Sequence, residues 1–111
     1  MDAYGVDEKK LRNRPDLIKL LSRLPKKLKM RIIGKPVVLK ISSTIFKYPD
    51  WGLSGFVVLL ESHISFHTWP KEGFVAMDIY SCKDFNREKT VKYLKNYWRP
   101  QKMKIKVIIR G

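Results

Sequence analysis

The sequence predicts an α+β fold, a two-layer sandwich in which a mainly antiparallel sheet carries helices on one face. Three observations predict it. Leu17, Ile18, Leu20, Leu21 and Leu24 recur at helical spacing. The centre of the chain runs apolar or alternates in short segments separated by turn residues, the pattern of hairpin-linked strands. A second helical stretch and a last alternating stretch then follow.

Each element has a local reason. Asp7 is placed to cap a first helical turn over residues 8–13, and Pro15 suits the start of a second helix. The leucine-rich face of that helix leaves Lys19 and Arg23 outside it. Pro25 interrupts the helix or begins a short further turn carrying Lys26, Lys27 and Lys29. Val37, Val38, Leu39 and Ile41 mark a strand within 36–43, and 48–52 reads as a turn-rich connection. The continuous apolar run 55–60 has the pattern of a strand buried on both faces. Residues 63–69 alternate strictly, with His63, Ser65, His67 and Trp69 on one side and Ile64, Phe66 and Thr68 on the other. After a turn at 70–73, residues 74–82 form another strand. Asn86 caps a helix over 87–98 whose inner face uses Val91, Leu94 and Trp98, and Pro100 ends it. The last strand, 103–110, puts Met103, Ile105, Val107 and Ile109 on one face. No repeat or linker divides the chain, which reads as one domain over 1–111.

Composition excludes several classes. With 44% hydrophobic and 12% aromatic residues in 111, the chain is not disordered. It has no uninterrupted apolar run of about 18 residues, the length a membrane-spanning helix needs. The acid-bearing N-terminus lacks the apolar core of a secretory signal, which points to a soluble cytoplasmic protein. A single cysteine, Cys82, forms no internal disulfide, and with two histidines it cannot complete a Cys/His zinc cage. The net charge of +14 comes from both ends, because residues 51–70 contain no Lys or Arg and only Glu61 among acids. Spread over helices and strand edges, this charge fits a solvated surface as well as a nucleic-acid face. It assigns neither a nucleic-acid nor a membrane partner.

That nearly uncharged segment is where chemistry concentrates. It holds Ser54, Ser62, Ser65, His63, His67 and Glu61, and Ser81-Cys82 follows in the next strand. A buried polar group without a partner costs about 1–3 kcal/mol, so strands built only for packing avoid such a set. It contains no metal motif, phosphate loop or nucleophile elbow. On composition alone, a serine-rich hairpin with satisfied histidines remains open beside a catalytic one.

Taken together, Gly52-Leu53-Ser54-Gly55, Glu61-Ser62-His63-Ile64-Ser65-Phe66-His67-Thr68-Trp69-Pro70 and Asp78-Ile79-Tyr80-Ser81-Cys82 resemble the prokaryotic S-adenosylmethionine decarboxylase proenzyme family. The match is strong from Asp50 to Asp84 and weaker from there to Gly111. The resemblance implies a zymogen that cleaves itself between Glu61 and Ser62 into 1–61 and 62–111. Ser62 becomes a pyruvoyl group, which serves as cofactor and holds substrate as a Schiff base, with no metal and no pyridoxal phosphate. It implies His67 in proton transfer during processing, Ser54 in support, and Cys82 as proton donor in decarboxylation. Tyr48 takes the place of an adenine-stacking aromatic, and Glu72 is the carboxylate available for substrate binding. His63 receives no bond-making role. The implied substrate is S-adenosylmethionine, the setting polyamine (spermidine) biosynthesis, and the assembly a homodimer of processed protomers.

Two departures bear on these expectations. The family carries a carboxylate directly after the His-Thr-aromatic-Pro run, where this chain has Lys71, with Glu72 one residue later. A lysine accepts no hydrogen bond and repels a sulfonium ion. The stretch Tyr4-Gly5-Val6-Asp7 also passes straight to the first helix, as though the family's first strand were absent. Three alternatives therefore accompany the main reading: a pyruvoyl enzyme for arginine or ornithine, a catalytically silent homologue that regulates a paralogue, and a basic nucleic-acid-binding domain.

Overall fold

The computed structural model describes residues 1–43 and 50–109. Asp7 begins α1 (Glu8–Leu11) by accepting the Lys9 N–H on its carboxylate at 3.1 Å. Asn13 does the same for α2 (Arg14–Lys27), taking the Asp16 N–H at 3.1 Å, with Pro15 in the first turn. Leu17, Leu20, Leu21 and Leu24 are buried along one face of α2. Neither the break nor the separate short turn expected at Pro25 occurs, and α2 continues to Lys27. So close to the end of the helix, a proline forfeits only its own bond to the preceding turn, and the ring of Pro25 is buried with the leucines.

The strands are β1 (Asp2–Tyr4), β2 (Val37–Ser43), β3 (Asp50–Leu59), β4 (Ser62–Trp69), β5 (Phe74–Ser81) and β6 (Lys102–Lys104). They form one antiparallel sheet in the order β2-β3-β4-β5-β1-β6. The third helix, α3 (Arg87–Trp98), is capped by Asn86 and buries Thr90, Leu94 and Trp98. Its burial with α2 against Leu53, Val57, Ile64, Phe66, Val75 and Met77 makes the core. The expected α+β two-layer architecture, with helices on one face, is the observed one.

Other expectations are corrected as well. Gly55 to Leu60 is not buried on both faces: Leu53, Val57 and Leu59 are buried, whereas Phe56, Val58 and Leu60 are 44–47% exposed. With both helices on one side, no layer among the described residues covers the second face of β3. Trp51 and Gly52, expected in a turn, already belong to β3. The last strand stops at Lys104, because its pairing partner β1 has only three residues and the ladder ends with it. Ahead of Gly5 the chain does contribute a short strand to the sheet, β1, inserted between β5 and β6 with Ala3 fully buried. No described helix is long and apolar enough to cross a membrane.

Candidate active site

The β3–β4 hairpin closes through Leu60 and Glu61, between the paired residues Leu59 and Ser62. Glu61 occupies the third position of this turn at φ 60°, where glycine is the usual residue. A side chain there carries about 1–2 kcal/mol of backbone strain. The Leu60 N–H donates to the Arg31 carbonyl at 2.9 Å, and the Glu61 carbonyl accepts the Cys82 N–H at 3.3 Å. The strained peptide that precedes Ser62 is therefore held from both sides.

Ser62 opens β4 on the helix side of the sheet and is 8% exposed. Its hydroxyl donates to Ser81 Oγ at 3.1 Å, and Ser81 Oγ also accepts the Lys83 N–H at 3.0 Å. Register creates this pair, because Ser62 lies opposite Ser81 across β4 and β5. The Cys82 thiol just beyond is exposed, with Tyr80 Oη 3.6 Å from Sγ. A cavity of about 710 Å³, between the end of β5 and α3, opens beside Ser81 and Cys82 and is lined also by Ile79, Arg87 and Leu94.

A second cluster lies on the uncovered face. Ser54 of β3 and His67 of β4 are register partners, and Ser54 Oγ lies 2.7 Å from His67 Nδ1. Two glycines let β3 approach here. A Cβ on Gly52 would meet the Thr68 carbonyl oxygen at 2.1 Å, and one on Gly55 would meet the Phe66 ring at 2.7 Å. Buried Thr68 pins the same corner to α1: its hydroxyl accepts the Leu53 N–H at 2.9 Å and donates to the Leu11 carbonyl at 3.0 Å. From His67 an aromatic row continues through Trp69, Phe74 and Tyr4, with ring centroids 6.2, 5.0 and 5.0 Å apart in turn.

The two clusters do not meet within one chain. Ser62 and His67 are five residues apart on one extended strand, about 16 Å at the usual strand rise, and face opposite sides of the sheet. Glu72 lies further still from Ser62, in a single 3-10 turn (Pro70–Glu72) where it and Lys71 are both exposed. Successive residues of such a turn project about 120° apart, so Glu72 does not occupy the direction of Lys71. Tyr48 lies outside the described residues.

His63 stacks on Tyr80 at 5.4 Å and 28°. Sequence reasoning gave no role to Ser81 or Tyr80. Both lie in the quoted motif, but only strand pairing reveals that one faces Ser62 and the other reaches Cys82. Two groups of the helix layer have shifted acidities. Burial, then a hydrogen bond to Asp16, raises the Tyr97 phenol, and burial lowers the Lys10 ammonium. Among the described residues no three His, Cys, Asp or Glu side chains gather as a metal site.

In chemical terms, the first cluster offers a hydroxyl next to a strained carbonyl whose oxygen already accepts a backbone N–H. The second offers an imidazole paired with a hydroxyl. Comparison with known proteins agrees. A relative from Clostridium botulinum (strain Langeland), an S-adenosylmethionine decarboxylase proenzyme, is 34% identical over 112 aligned residues, covering all of this chain and 90% of its own. The proenzyme of the same name from Thermoplasma volcanium is 35% identical, over 99% of this chain and 79% of its own. The crystal structure of the adenosylmethionine decarboxylase from Aquifex aeolicus superposes with a TM-score of 0.70 at 29% identity, covering 91% of this chain and 78% of that one. The sequence model of the S-adenosylmethionine decarboxylase family matches residues 1–111. A strained Glu61-Ser62 peptide, set in an antiparallel sheet layered with helices, is thus carried by a chain that belongs to the S-adenosylmethionine decarboxylase family.

Proposed function

We propose that this chain is a proenzyme that cuts its own Glu61–Ser62 bond, and that residues 62–111 then carry a pyruvoyl group with which the protein decarboxylates S-adenosylmethionine. The observation that carries this reading is the scissile peptide itself: Glu61 at φ 60°, its carbonyl oxygen on the Cys82 N–H, and the Ser62 hydroxyl adjacent. Ser62 Oγ attacks the Glu61 carbonyl carbon, and the amide nitrogen becomes an amine as an ester forms. The Cys82 N–H stabilises the charge that grows on the carbonyl oxygen. Loss of the Ser62 α-proton then expels the Glu61 carboxylate and leaves dehydroalanine, which takes up water and releases ammonia. A serine hydroxyl is a weak nucleophile, so positioning by Ser81 and release of the Glu61 strain both contribute.

The residues present fit a pyruvoyl group, which supplies an electron sink for the carbanion left when CO2 departs. Around it, the Cys82 thiol delivers a proton to the substrate α-carbon. In a cytoplasmic setting this lone thiol stays reduced.

Ser54 and His67 act on the processing reaction from a second copy of the chain. The separation of the clusters along β4 supports this, and so does the apolar face that carries them, where Leu39, Ile41, Phe56, Val58 and Leu60 stand 44–53% exposed. Two such faces packed together give a homodimer in which Ser54 and His67 of one copy serve the Glu61–Ser62 turn at the hairpin end of the other.

Intact mass under denaturing conditions, with and without a carbonyl-trapping reagent, tests the cleavage. Two fragments, 1–61 and a trap-reactive 62–111, are expected from the natural sequence, and one uncut chain of 13.1 kDa from Ser62→Ala. Cleavage of Ser62→Ala at the same bond would overturn the mechanism. Co-expressing Ser62→Ala with His67→Ala tests the shared site. Neither chain cleaves alone, and in the mixture the His67→Ala chain is cut. A mixture that stays uncut would overturn the two-copy arrangement.

A further inference from the structure

Tyr80 has no part in the chemistry described so far, yet its surroundings are specific. It lies opposite His63 across β4 and β5, on the uncovered face, and the two rings stack. Its hydroxyl reaches Cys82 Sγ at 3.6 Å from two residues away. Cys82 itself follows the end of β5, where its exposed thiol has no strand ladder to orient it. We infer that Tyr80, braced by the His63 ring, is a positioning residue that aims the Cys82 thiol and stabilises the thiolate it leaves. The inference rests on the assignment of Cys82 as proton donor.

The chemistry is balanced within the pair. Before the reaction either group can donate to the other. When the S–H bond breaks and the proton passes to the substrate carbon, sulfur keeps the electron pair. The phenol O–H then donates to it, and this hydrogen bond is strengthened by the charge. The phenol O–H bond itself stays intact throughout, so Tyr80 serves only as donor. His63 contributes through ring contact, which limits where the phenol can swing. A purely structural Tyr80 would fill space equally well as phenylalanine.

The test measures the thiol directly. In uncleaved Ser62→Ala chains, the rate of Cys82 alkylation by iodoacetamide is followed against pH. Tyr80→Phe is expected to shift the profile to higher pH and slow alkylation near neutrality roughly two- to twelvefold, the effect of one ordinary hydrogen bond lost at an exposed position. His63→Ala shifts it in the same direction, and His63→Phe, which keeps a ring, restores it. An unchanged profile in Tyr80→Phe overturns the inference. In self-cleaved chains a second readout is the loss of the trap-reactive carbonyl per turnover, which rises when the substrate is protonated at the wrong atom. Tyr80→Phe and Cys82→Ser should both raise it. A rise with Cys82→Ser alone overturns the role of Tyr80 and leaves that of Cys82 standing. No rise with Cys82→Ser overturns the proton-donor assignment, and the alkylation profile still decides whether Tyr80 governs the thiol.

Discussion

Replacing Glu61 by glycine separates the strain of the scissile turn from its chemistry. Glu61 sits at φ 60°, a region that a residue with a Cβ enters at about 1–2 kcal/mol. Glycine enters it freely. If the strain is released as the amide becomes an ester, Glu61→Gly raises the barrier by that amount. At 1.36 kcal/mol per tenfold, self-cleavage slows about five- to thirtyfold. Stability should move less, because glycine loses about 0.5–1 kcal/mol more backbone entropy on folding, which leaves a net gain of about 0.5–1 kcal/mol. The neighbouring contacts are backbone ones, from Cys82 N–H to Glu61 and from Leu60 N–H to Arg31, and glycine keeps both. Cleavage would be timed by intact mass after cell-free synthesis. Stability would be read from urea unfolding of Ser62→Ala with and without Glu61→Gly, where no cleavage confuses the signal. Cleavage at an unchanged rate in a chain made more stable would refute the claim that ground-state strain drives the reaction. Loss of stability would refute the strain itself.

Two further substitutions test the frame around the site. Thr68→Val removes the hydroxyl that joins Leu53 N–H to the Leu11 carbonyl and leaves two buried groups unpaired, so urea unfolding should show a loss of about 2–4 kcal/mol. A loss below 1 kcal/mol would mean that the β3–α1 corner is held by packing alone. Tyr97 hydrogen-bonds Asp16 Oδ2 at 2.5 Å, and burial with this bond raises its phenol above the ordinary range. A raised folded-state value means that its contribution is complete below about pH 10 and declines as pH rises further, because only the unfolded chain then releases the proton. Tyr97→Phe should lower stability by about 1–2 kcal/mol near neutrality and remove that part of the alkaline decline. Parallel curves for the two proteins up to pH 11 would contradict it.

Much of this protein is legible one segment at a time. Asp7 and Asn86 announce helix starts because a cap is a contact within three residues. Strict alternation from His63 to Trp69 assigned those side chains to two faces correctly, since the period of a strand is local geometry. The run from Gly55 to Leu60 misled for a complementary reason. Its residues are apolar on both sides, and whether a second layer covers a strand depends on elements far away in sequence. The extent of β6 was misjudged in the same way: Ile105, Val107 and Ile109 alternate, but β1 offers them no partner.

For the candidate site, the sequence by itself determined which chemical groups are present and which family motif they compose: Ser54, Glu61, Ser62, His67 and Cys82 at their spacings. The tertiary structure alone decided which of them lie together. Antiparallel register puts Ser81 opposite Ser62, carries the Cys82 N–H to the Glu61 carbonyl and sets Tyr80 on His63. The same register holds Ser54 and His67 five residues further along β4, on the other face of the sheet. A strand's sequence encodes its own two faces, whereas distances between strands arise only when backbone hydrogen bonds fix which residues lie side by side.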